Sequence, residues 1–253
     1  MRSYARILAA AKSAGYRTTA VVDWLDHPQS EGRVLVLRHD VDRSPGNALA
    51  MAELEASLGV RSSYYFRIVA VSFNPDVVKR IAELGHEIGY HYEDLARARG
   101  DADRAIAMFS DALSQLRALV PIYTMCMHGS PLAPWDNMDL WKTHSFESHG
   151  VRDCILSYDW REFGYFTDAG RTFGATAANL RDRLGAAHVY PEVRSSTDVA
   201  RFLAAGRAAR VMLSTHPERW TDRPEGWIMQ WLRDQAANAA KLGLRMLRSG
   251  KTA

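Results

Sequence analysis

Short apolar runs alternate with helical patterns along the chain, and this alternation predicts an α/β protein. The most informative run, Val34 to Leu37, is unbroken and apolar, as expected for a strand buried on both faces of a parallel sheet. Strands are predicted at 18–22, 33–40, 60–69, 86–91, 122–128, 153–158 and 209–216. Helices are predicted at 4–14, 44–58, 74–85, 101–119, 175–184, 196–205 and 225–247.

Repeated βα units of this kind favour a barrel built from a parallel sheet. We expect a single domain over residues 1–253, folded as an irregular (β/α) barrel with seven or eight parallel strands. Residues 129–173 combine many aromatic side chains with Gly, Pro and Asp, which predicts long loops over a site.

Composition excludes several classes of function. The net charge is +3 and no basic block occurs, so nucleic acid is not an expected partner. No apolar run approaches the roughly 20 residues of a transmembrane helix. The N-terminus lacks a signal-peptide pattern, and Cys126 and Cys154 lie in strand-like runs. We therefore expect a cytoplasmic protein with free thiols. The oligomeric state is not indicated by the sequence.

Ionisable side chains follow five of the predicted strands. In a parallel barrel, functional groups collect at the carboxyl ends of the strands. Asp and His ligands with an open position suit a divalent ion that activates water. For the first of these strand ends taken alone, a solvated turn with Ser44 as helix cap is the alternative. The strand-end residues are Asp40 and Asp42; His91, Glu93 and Asp94; His128 and Ser130; Asp159 and Trp160; His216 and Glu218.

Four stretches, in this order, resemble motifs of the polysaccharide deacetylase family: RHDVD, GHEIGYH, YDW and LSTH. The resemblance implies an irregular (β/α) barrel and a metal-dependent hydrolase that removes acetyl groups from N-acetylated sugars. The longer wording around these motifs is similar to a cytosolic subgroup associated with bacterial O-antigen and other surface-polysaccharide synthesis. The implied substrate is a carbohydrate precursor, nucleotide-linked or lipid-linked.

The resemblance also implies roles for individual residues. Asp40 corresponds to the general base, and Asp42 and His91 to metal ligands. His216 corresponds to the catalytic acid, and Asp159 to the carboxylate that tunes it. The implied cofactor is a divalent metal, zinc in the first place, with cobalt, nickel or manganese as substitutes.

Two positions depart from the family pattern. Leu95 stands where the second metal-binding histidine is expected, and His128 lies in the stretch that usually supplies an arginine to orient the base. Consecutive parallel strands are usually neighbours, so His128 at the end of the next strand is predicted to be the third metal ligand. Glu93 is the alternative ligand, and orientation of Asp40 is the alternative role of His128.

Other side chains are weaker candidates. Arg67, Asp168, Arg171 and Trp160 are predicted to contact the substrate, with a loop ion pair or core packing as the alternatives. His39 is predicted to be a structural residue, and His86, which precedes a strand, a surface or turn residue. Two rival functions stay open: hydrolysis of another small amide on the same fold, and carbohydrate binding without catalysis, which Leu95 would allow.

Overall fold

The structure is a computed structural model that describes residues 1–28, 31–130, 133–169, 173, 190, 192–222, 224–226, 228–232 and 234–235. The helix predicted at 175–184, most of the helix predicted at 225–247, and Arg171 lie outside the described residues. No helix in the described part of the chain is long and apolar enough to cross a membrane.

Eight strands pair in parallel in one sheet. They are β1 (Tyr16–Thr19), β2 (Arg33–Val41), β3 (Ser63–Phe66), β4 (Glu87–Tyr92), β5 (Thr124–Met127), β6 (Arg152–Asp153), β7 (Gly164–Thr167) and β8 (Arg210–Thr215). Their order is β6-β5-β4-β3-β2-β8-β7, and β1 pairs with the first half of β2. The sheet curls into a half-barrel with helices, which confirms the predicted irregular (β/α) barrel with parallel strands.

Seven α-helices are described: α1 (Arg2–Ser13), α2 (Val21–Asp26), α3 (Pro45–Ser57), α4 (Pro75–Glu83), α5 (Asp94–Arg97), α6 (Ala102–Arg117) and α7 (Ser196–Ala204). The Asn74 side chain accepts hydrogen bonds from the backbone N–H groups of Asp76 and Val77, which confirms its predicted role as the cap of α4. Ser44 is the N-cap residue of α3 and Pro45 its first residue, as in the alternative interpretation of this strand end, although the Ser44 side chain makes no capping hydrogen bond in the described part of the chain.

Two strands differ from the sequence prediction. The strand expected at 153–158 ends at Asp153, because the Asp153 carboxylate accepts the N–H groups of Ile155 and Leu156 and turns the chain. Strand β7 lies in the stretch expected to be loop. Its four residues pair with β8, which places the following residue, Asp168, beside the end of β8.

The two faces of the sheet carry separate apolar cores. On the inner face, Val34 and Val36 pack with Tyr65 and Cys126, whereas the neighbouring Leu35 belongs to the core beneath the helices. Gly89 is required on the inner face, because a Cβ there would lie 2.3 Å from the Tyr65 ring. By strand alternation, the inner face continues from Val36 to Arg38 and Asp40 at the carboxyl end of β2.

Both cysteines are buried free thiols, as predicted. Cys126 packs on the inner face of the sheet, where Cys154 belongs to the same apolar cluster. Burial raises the pKa of each thiol, which keeps it protonated and unreactive.

Candidate active site

Asp42 and two histidines converge at the carboxyl ends of β2, β4 and β5. The Nε2 atoms of His91 and His128 each lie 3.4 Å from Asp42 Oδ1. Asp42 Oδ1 is buried and, within the described part of the chain, makes no hydrogen bond of normal geometry. A buried carboxylate oxygen without a hydrogen bond is costly, which indicates that it faces a ligand.

The second ring nitrogen of each histidine is held by the protein. His91 Nδ1 lies 3.0 Å from the carbonyl oxygen of Cys126, and His128 Nδ1 lies 3.0 Å from Glu93 Oε2. Contacts of this kind fix the orientation of metal-binding histidines and leave Nε2 for the ion. Glu93 therefore contacts Nδ1 of His128, and Asp42 lies on the side of Nε2.

The distances partly match a zinc site. In tetrahedral sites with zinc–ligand distances of roughly 2.0–2.1 Å, neighbouring ligand atoms are about 3.4 Å apart. Each Asp42–histidine pair has this separation. Among the described residues, however, the one group of three whose ligand atoms all lie within 4.8 Å of one another is Asp40, His91 and Cys126. The donor set around Asp42 thus fits a divalent ion, with the two imidazoles spread wider than in a closed site.

Asp40 is held by an arginine that sequence reasoning missed. Arg38 donates from Nε and Nη2 to the two carboxylate oxygens, at 2.8 and 2.6 Å, and both side chains are buried. Burial alone would raise the pKa of Asp40, but the charge of Arg38 outweighs it and lowers the pKa to about 2. The available signal was the spacing: residues two apart on one strand share a face.

His216 forms a second buried group with Asp168. His216 Nδ1 lies 2.6 Å from Asp168 Oδ1, and Trp220 Nε1 donates to Asp168 Oδ2 at 2.7 Å. Burial and the charge of Arg219 lower the pKa of His216, but the carboxylates of Asp168 and Asp42 outweigh them and raise it to about 9. His216 is therefore protonated at neutral pH, and its Nε2 lies 4.0 Å from Asp42 Oδ2.

The carboxylate beside His216 differs from the one expected. Asp159 is half-exposed, caps the short 3-10 helix Trp160–Glu162 and pairs with Arg161, so the structure contradicts its predicted contact with His216. The carboxylate that contacts His216 Nδ1 belongs to Asp168, which was expected to contact the substrate. The sequence signal for Asp168 was weak because it follows β7, a strand that the hydrophobic pattern did not reveal.

Arg67 and Trp160, which are predicted to contact the substrate, bind other residues of the protein instead. Arg67 donates to both carboxylate oxygens of Glu93, at 2.8 Å from Nη2. Trp160 is buried in the inner core and donates to the carbonyl of Ile155, which is the packing alternative. Leu95 lies in a small apolar cluster, consistent with a position that faces no ion.

Two further histidines, His39 and His86, are buried and hydrogen-bonded. His39 contacts Glu55 and Thr215, as expected for a structural residue. His86 lies in the connection between α4 and β4, as the turn alternative expects, but it is buried against Ser62 and the carbonyl of Ala52, so the surface alternative is wrong.

Two residues with positive φ stand close to the candidate ligands. Ser44 (φ 56°) follows Asp42 by two positions, and Ser130 (φ 37°) follows His128 by two positions. Non-glycine residues seldom adopt this region. Ser130 Oγ lies 3.1 Å from His128 Nδ1, so the unusual backbone helps to position the imidazole.

The chain matches no protein-family model and no curated protein. Solved structures with a similar fold include a CE4 esterase from Streptococcus mutans, 15% identical over 85% of this chain and 83% of that chain, with a TM-score of 0.47. Peptidoglycan deacetylase PdaC from Bacillus subtilis is 11% identical, over 86% and 98% of the two chains, with a TM-score of 0.41. The Xyl-CE4 domain of a multidomain xylanase from the hindgut metagenome of Trinervitermes trinervoides is 12% identical, over 86% and 85%, with a TM-score of 0.38.

Proposed function

We propose that the protein is a metal-dependent hydrolase that removes an acetyl group from an N-acetylated sugar. The observation that carries the proposal is the convergence of Asp42 with His91 and His128, whose Nε2 atoms both face its buried, unbonded oxygen. The family-like motifs contribute Asp42 and His91 together with Asp40 and His216, whereas His128 lies outside these motifs. Hydrolysis needs a base, an acid and an electrophile, and the site offers each.

The residues divide the chemistry among themselves. A divalent ion held by Asp42, His91 and His128 would supply Lewis acidity and lower the pKa of a water molecule. Asp40, kept ionised by Arg38, accepts the proton of the attacking water. His216, kept protonated by Asp168, donates a proton from Nε2 to the departing amine nitrogen.

His128 is the better third ligand, and Glu93 is its support. Glu93 lies against Nδ1 of His128 and is paired with Arg67, so its carboxylate is already engaged by two side chains. The Nε2 atom of His128 has no such partner and faces Asp42. The alternative role of His128, orientation of Asp40, is less favoured because Arg38 performs it.

The proposed substrate class rests on the resemblance of the motifs to those of the polysaccharide deacetylase family. We expect a precursor of O-antigen or another surface polysaccharide, nucleotide-linked or lipid-linked, handled in the cytoplasm. Zinc is the expected metal, with cobalt, nickel or manganese as substitutes.

Metal binding tests the site directly. Calorimetry with Zn²⁺ should give about one ion per chain for the native protein. Asp42→Ala and His128→Ala should abolish tight binding, whereas Glu93→Ala should weaken it by about 10- to 100-fold, as is usual for a residue that orients a ligand. Release of the ion by Glu93→Ala alone would make Glu93 the ligand, and no effect of any variant would refute the coordination scheme.

Acetate release tests the activity. Incubation of the zinc-loaded protein with a panel of N-acetyl sugars should release acetate from at least one of them, and Asp40→Asn should prevent it. Ammonia or another carboxylate released from a non-sugar amide would favour the rival C–N hydrolase. Sugar binding without turnover or metal uptake would favour the carbohydrate-binding alternative that Leu95 allows.

A further inference from the structure

Four large apolar side chains are exposed within the five residues 228–232. They belong to a helical stretch, described at residues 224–226, 228–232 and 234–235. The side chains are 40–53% exposed and are those of Ile228, Met229, Trp231 and Leu232; we call them the 228–232 face. Because positions spaced by one, three and four residues share one side of a helix, the four lie together. The other exposed large apolar side chains in the described part of the chain belong to separate segments: Leu58, Val71, Tyr123 and Leu156.

The polar side of the same helix faces the protein. Gln230 and Asp234 are each 4% exposed, and Gln230 Nε2 donates to Asp234 Oδ1 at 3.0 Å. Arg219 Nε lies 3.4 Å from Asp234 Oδ2. A surface helix ordinarily buries its apolar side and exposes its polar side. This helix has the opposite orientation, which its buried polar contacts hold in place, and its apolar side is left for a partner.

The polar contacts also join the helix to the candidate active site. Arg219 Nη1 donates to Asp168 Oδ1 at 3.0 Å, and the same oxygen lies 2.6 Å from Nδ1 of His216. Asp234 is therefore connected to the proposed catalytic acid through Arg219 and Asp168. A partner on the 228–232 face is separated from these contacts by the width of one helix, about 10–12 Å with its side chains.

The sequence after the helical residues is basic. Residues 236–253 contain four basic residues and no Asp or Glu, whereas the net charge of the whole chain is +3. The four are Lys241, Arg245, Arg248 and Lys251. An exposed apolar helix side with a Trp, followed by basic residues, is typical of a segment that binds the surface of an anionic bilayer. A second copy of the chain fits less well, because a two-fold contact across this face would bring two basic segments together.

We propose that the 228–232 face docks on an anionic lipid membrane, to which the basic residues of 236–253 add electrostatic attraction. The aliphatic side chains would enter the boundary of the acyl chains, and the ring of Trp231 suits the level of the headgroups. Docking of this kind needs no membrane-spanning helix. It would bring the active site to a lipid-linked sugar; that consequence rests on the proposed function, whereas the docking surface does not.

Vesicle binding tests the surface with the full-length protein. In sedimentation experiments, vesicles of phosphatidylcholine with about 30% phosphatidylglycerol should bind the protein at least about 10-fold more tightly than pure phosphatidylcholine. Leu232→Asp should lower the affinity for the mixed vesicles by at least about 10-fold, because an inserted apolar side chain becomes charged. Val71→Asp is the matched control: Val71 is also exposed and the charge changes equally, so binding should be retained.

A second variant separates the charge from the apolar contact. Replacement of the four basic residues of 236–253 by Gln should remove the preference for the acidic vesicles. Thermal unfolding of Leu232→Asp should match that of the wild type, because Leu232 is exposed. A loss of vesicle binding then reports the surface and not the fold.

Each remaining outcome would overturn the proposal. These outcomes are absence of binding to either vesicle, equal binding by Leu232→Asp and the wild type, loss of binding in Val71→Asp, or an unchanged lipid preference in the Gln variant. A dimer that forms without vesicles and dissociates in Leu232→Asp, measured by light scattering, would assign the face to a second copy. Vesicle binding that depends on Leu232, in a protein that releases acetate from no tested sugar, would count against the proposed function and leave the docking surface standing.

Discussion

Two buried clusters of acids and histidines lie on opposite faces of β2 and differ in how completely they are hydrogen-bonded. On the helix side, Glu55 accepts hydrogen bonds from Tyr4, Ser62 and Tyr64 and contacts His39, which reaches Thr215 with its other nitrogen; we call these residues the Glu55 cluster. Both oxygens of Glu55 and both nitrogens of His39 have partners. This cluster is closed, and no part of it needs a ligand.

The cluster on the site side has polar atoms without partners. Within the described part of the chain, Asp42 Oδ1, both oxygens of Glu218 and Arg38 Nη1 are buried without hydrogen bonds. Native proteins satisfy nearly all such atoms, so a local concentration of exceptions calls for a cause. The two clusters share residue types and differ in hydrogen-bond satisfaction, which is the property that we expect to separate a structural cluster from a candidate ligand site.

The largest expected effect on stability comes from a substitution in the Glu55 cluster. Glu55→Ala should lower the free energy of unfolding by about 3–5 kcal/mol, because it leaves a buried histidine and three hydroxyl groups without their acceptor. Urea unfolding at pH 7 measures the loss. Glu53→Ala, at an exposed position of the same helix, is the control and should change stability by less than about 0.5 kcal/mol.

The same variant has a defined pH dependence. Burial would raise the pKa of Glu55, but His39 and the hydrogen bonds lower it from 4.5 to about 2. The stabilisation is therefore fully present above pH 4.5 and is lost as the pH falls towards 2. A difference between wild type and Glu55→Ala that stays below 1 kcal/mol at pH 7 would show that the closed cluster is not structural.

The second prediction concerns Asp40, which lies on the site side of β2 but, like Glu55, has both carboxylate oxygens hydrogen-bonded. Asp40→Asn should lower kcat by about 100-fold or more, because it removes the base. It should also destabilise the protein by about 3 kcal/mol, because Arg38 is left buried without its carboxylate. Chemical unfolding and acetate release measure the two effects. The family resemblance implies a catalytic role for Asp40, and the buried ion pair with Arg38 adds a structural one.

Glu218→Gln is the comparison for Asp40→Asn. Glu218 is equally buried, but its carboxylate oxygens accept no hydrogen bond from any described residue, and its pKa is raised to about 7 by burial and by the charge of Asp42. Replacing it should therefore cost far less stability. Equal losses in the two variants would contradict the distinction between satisfied and unsatisfied acids.

The barrel could be predicted from the sequence because its strands are apolar runs that end in charged residues. Val34 to Leu37 carries the signal for β2, and GHEIGYH for β4. Strand β7 was missed because Gly164–Thr167 is short and lies among aromatic loop residues. Cys154 to Tyr158 has strand composition, but the Asp153 carboxylate captures the local N–H groups and turns the chain.

The site could be predicted in part. Strand ends gave Asp42, His91 and His128, because parallel strands bring their carboxyl ends to one edge. Partners between distant segments could not be predicted: Asp168 reaches His216 across 48 positions, and Glu55 reaches His39 from a helix. Arg38 was overlooked although alternation alone places it with Asp40.

The third prediction uses the pH profile to test the Asp168–His216 pair. The proton on His216 is needed for the departing amine, so kcat should fall on the alkaline side as His216 loses it; the pKa is about 9 without metal, and an ion on Asp42 would lower it. Asp168→Asn removes a carboxylate that raises this pKa, so the fall should begin at least about 1 pH unit lower. Asp159→Asn is the control; its side chain pairs with Arg161, so the profile should not move. A shift in Asp159→Asn and none in Asp168→Asn would restore the partner expected from the sequence.

The smallest expected effect is the most direct test of the comparison with the Glu55 cluster. In metal-free protein at pH 8, Asp42→Asn should change the free energy of unfolding by no more than about 1 kcal/mol. The reason is that Asp42 Oδ1 makes no hydrogen bond of normal geometry in the described part of the chain, so the variant loses only the charge attraction of Asp42 to His91, His128 and His216, from which the relief of its burial is subtracted. Addition of Zn²⁺ at about 100 times its Kd should then stabilise the wild type by about 2.7 kcal/mol and leave the variant unchanged. A loss of 3 kcal/mol in the metal-free variant would make Asp42 as structural as Glu55, and equal stabilisation of both proteins by zinc would place the ion elsewhere.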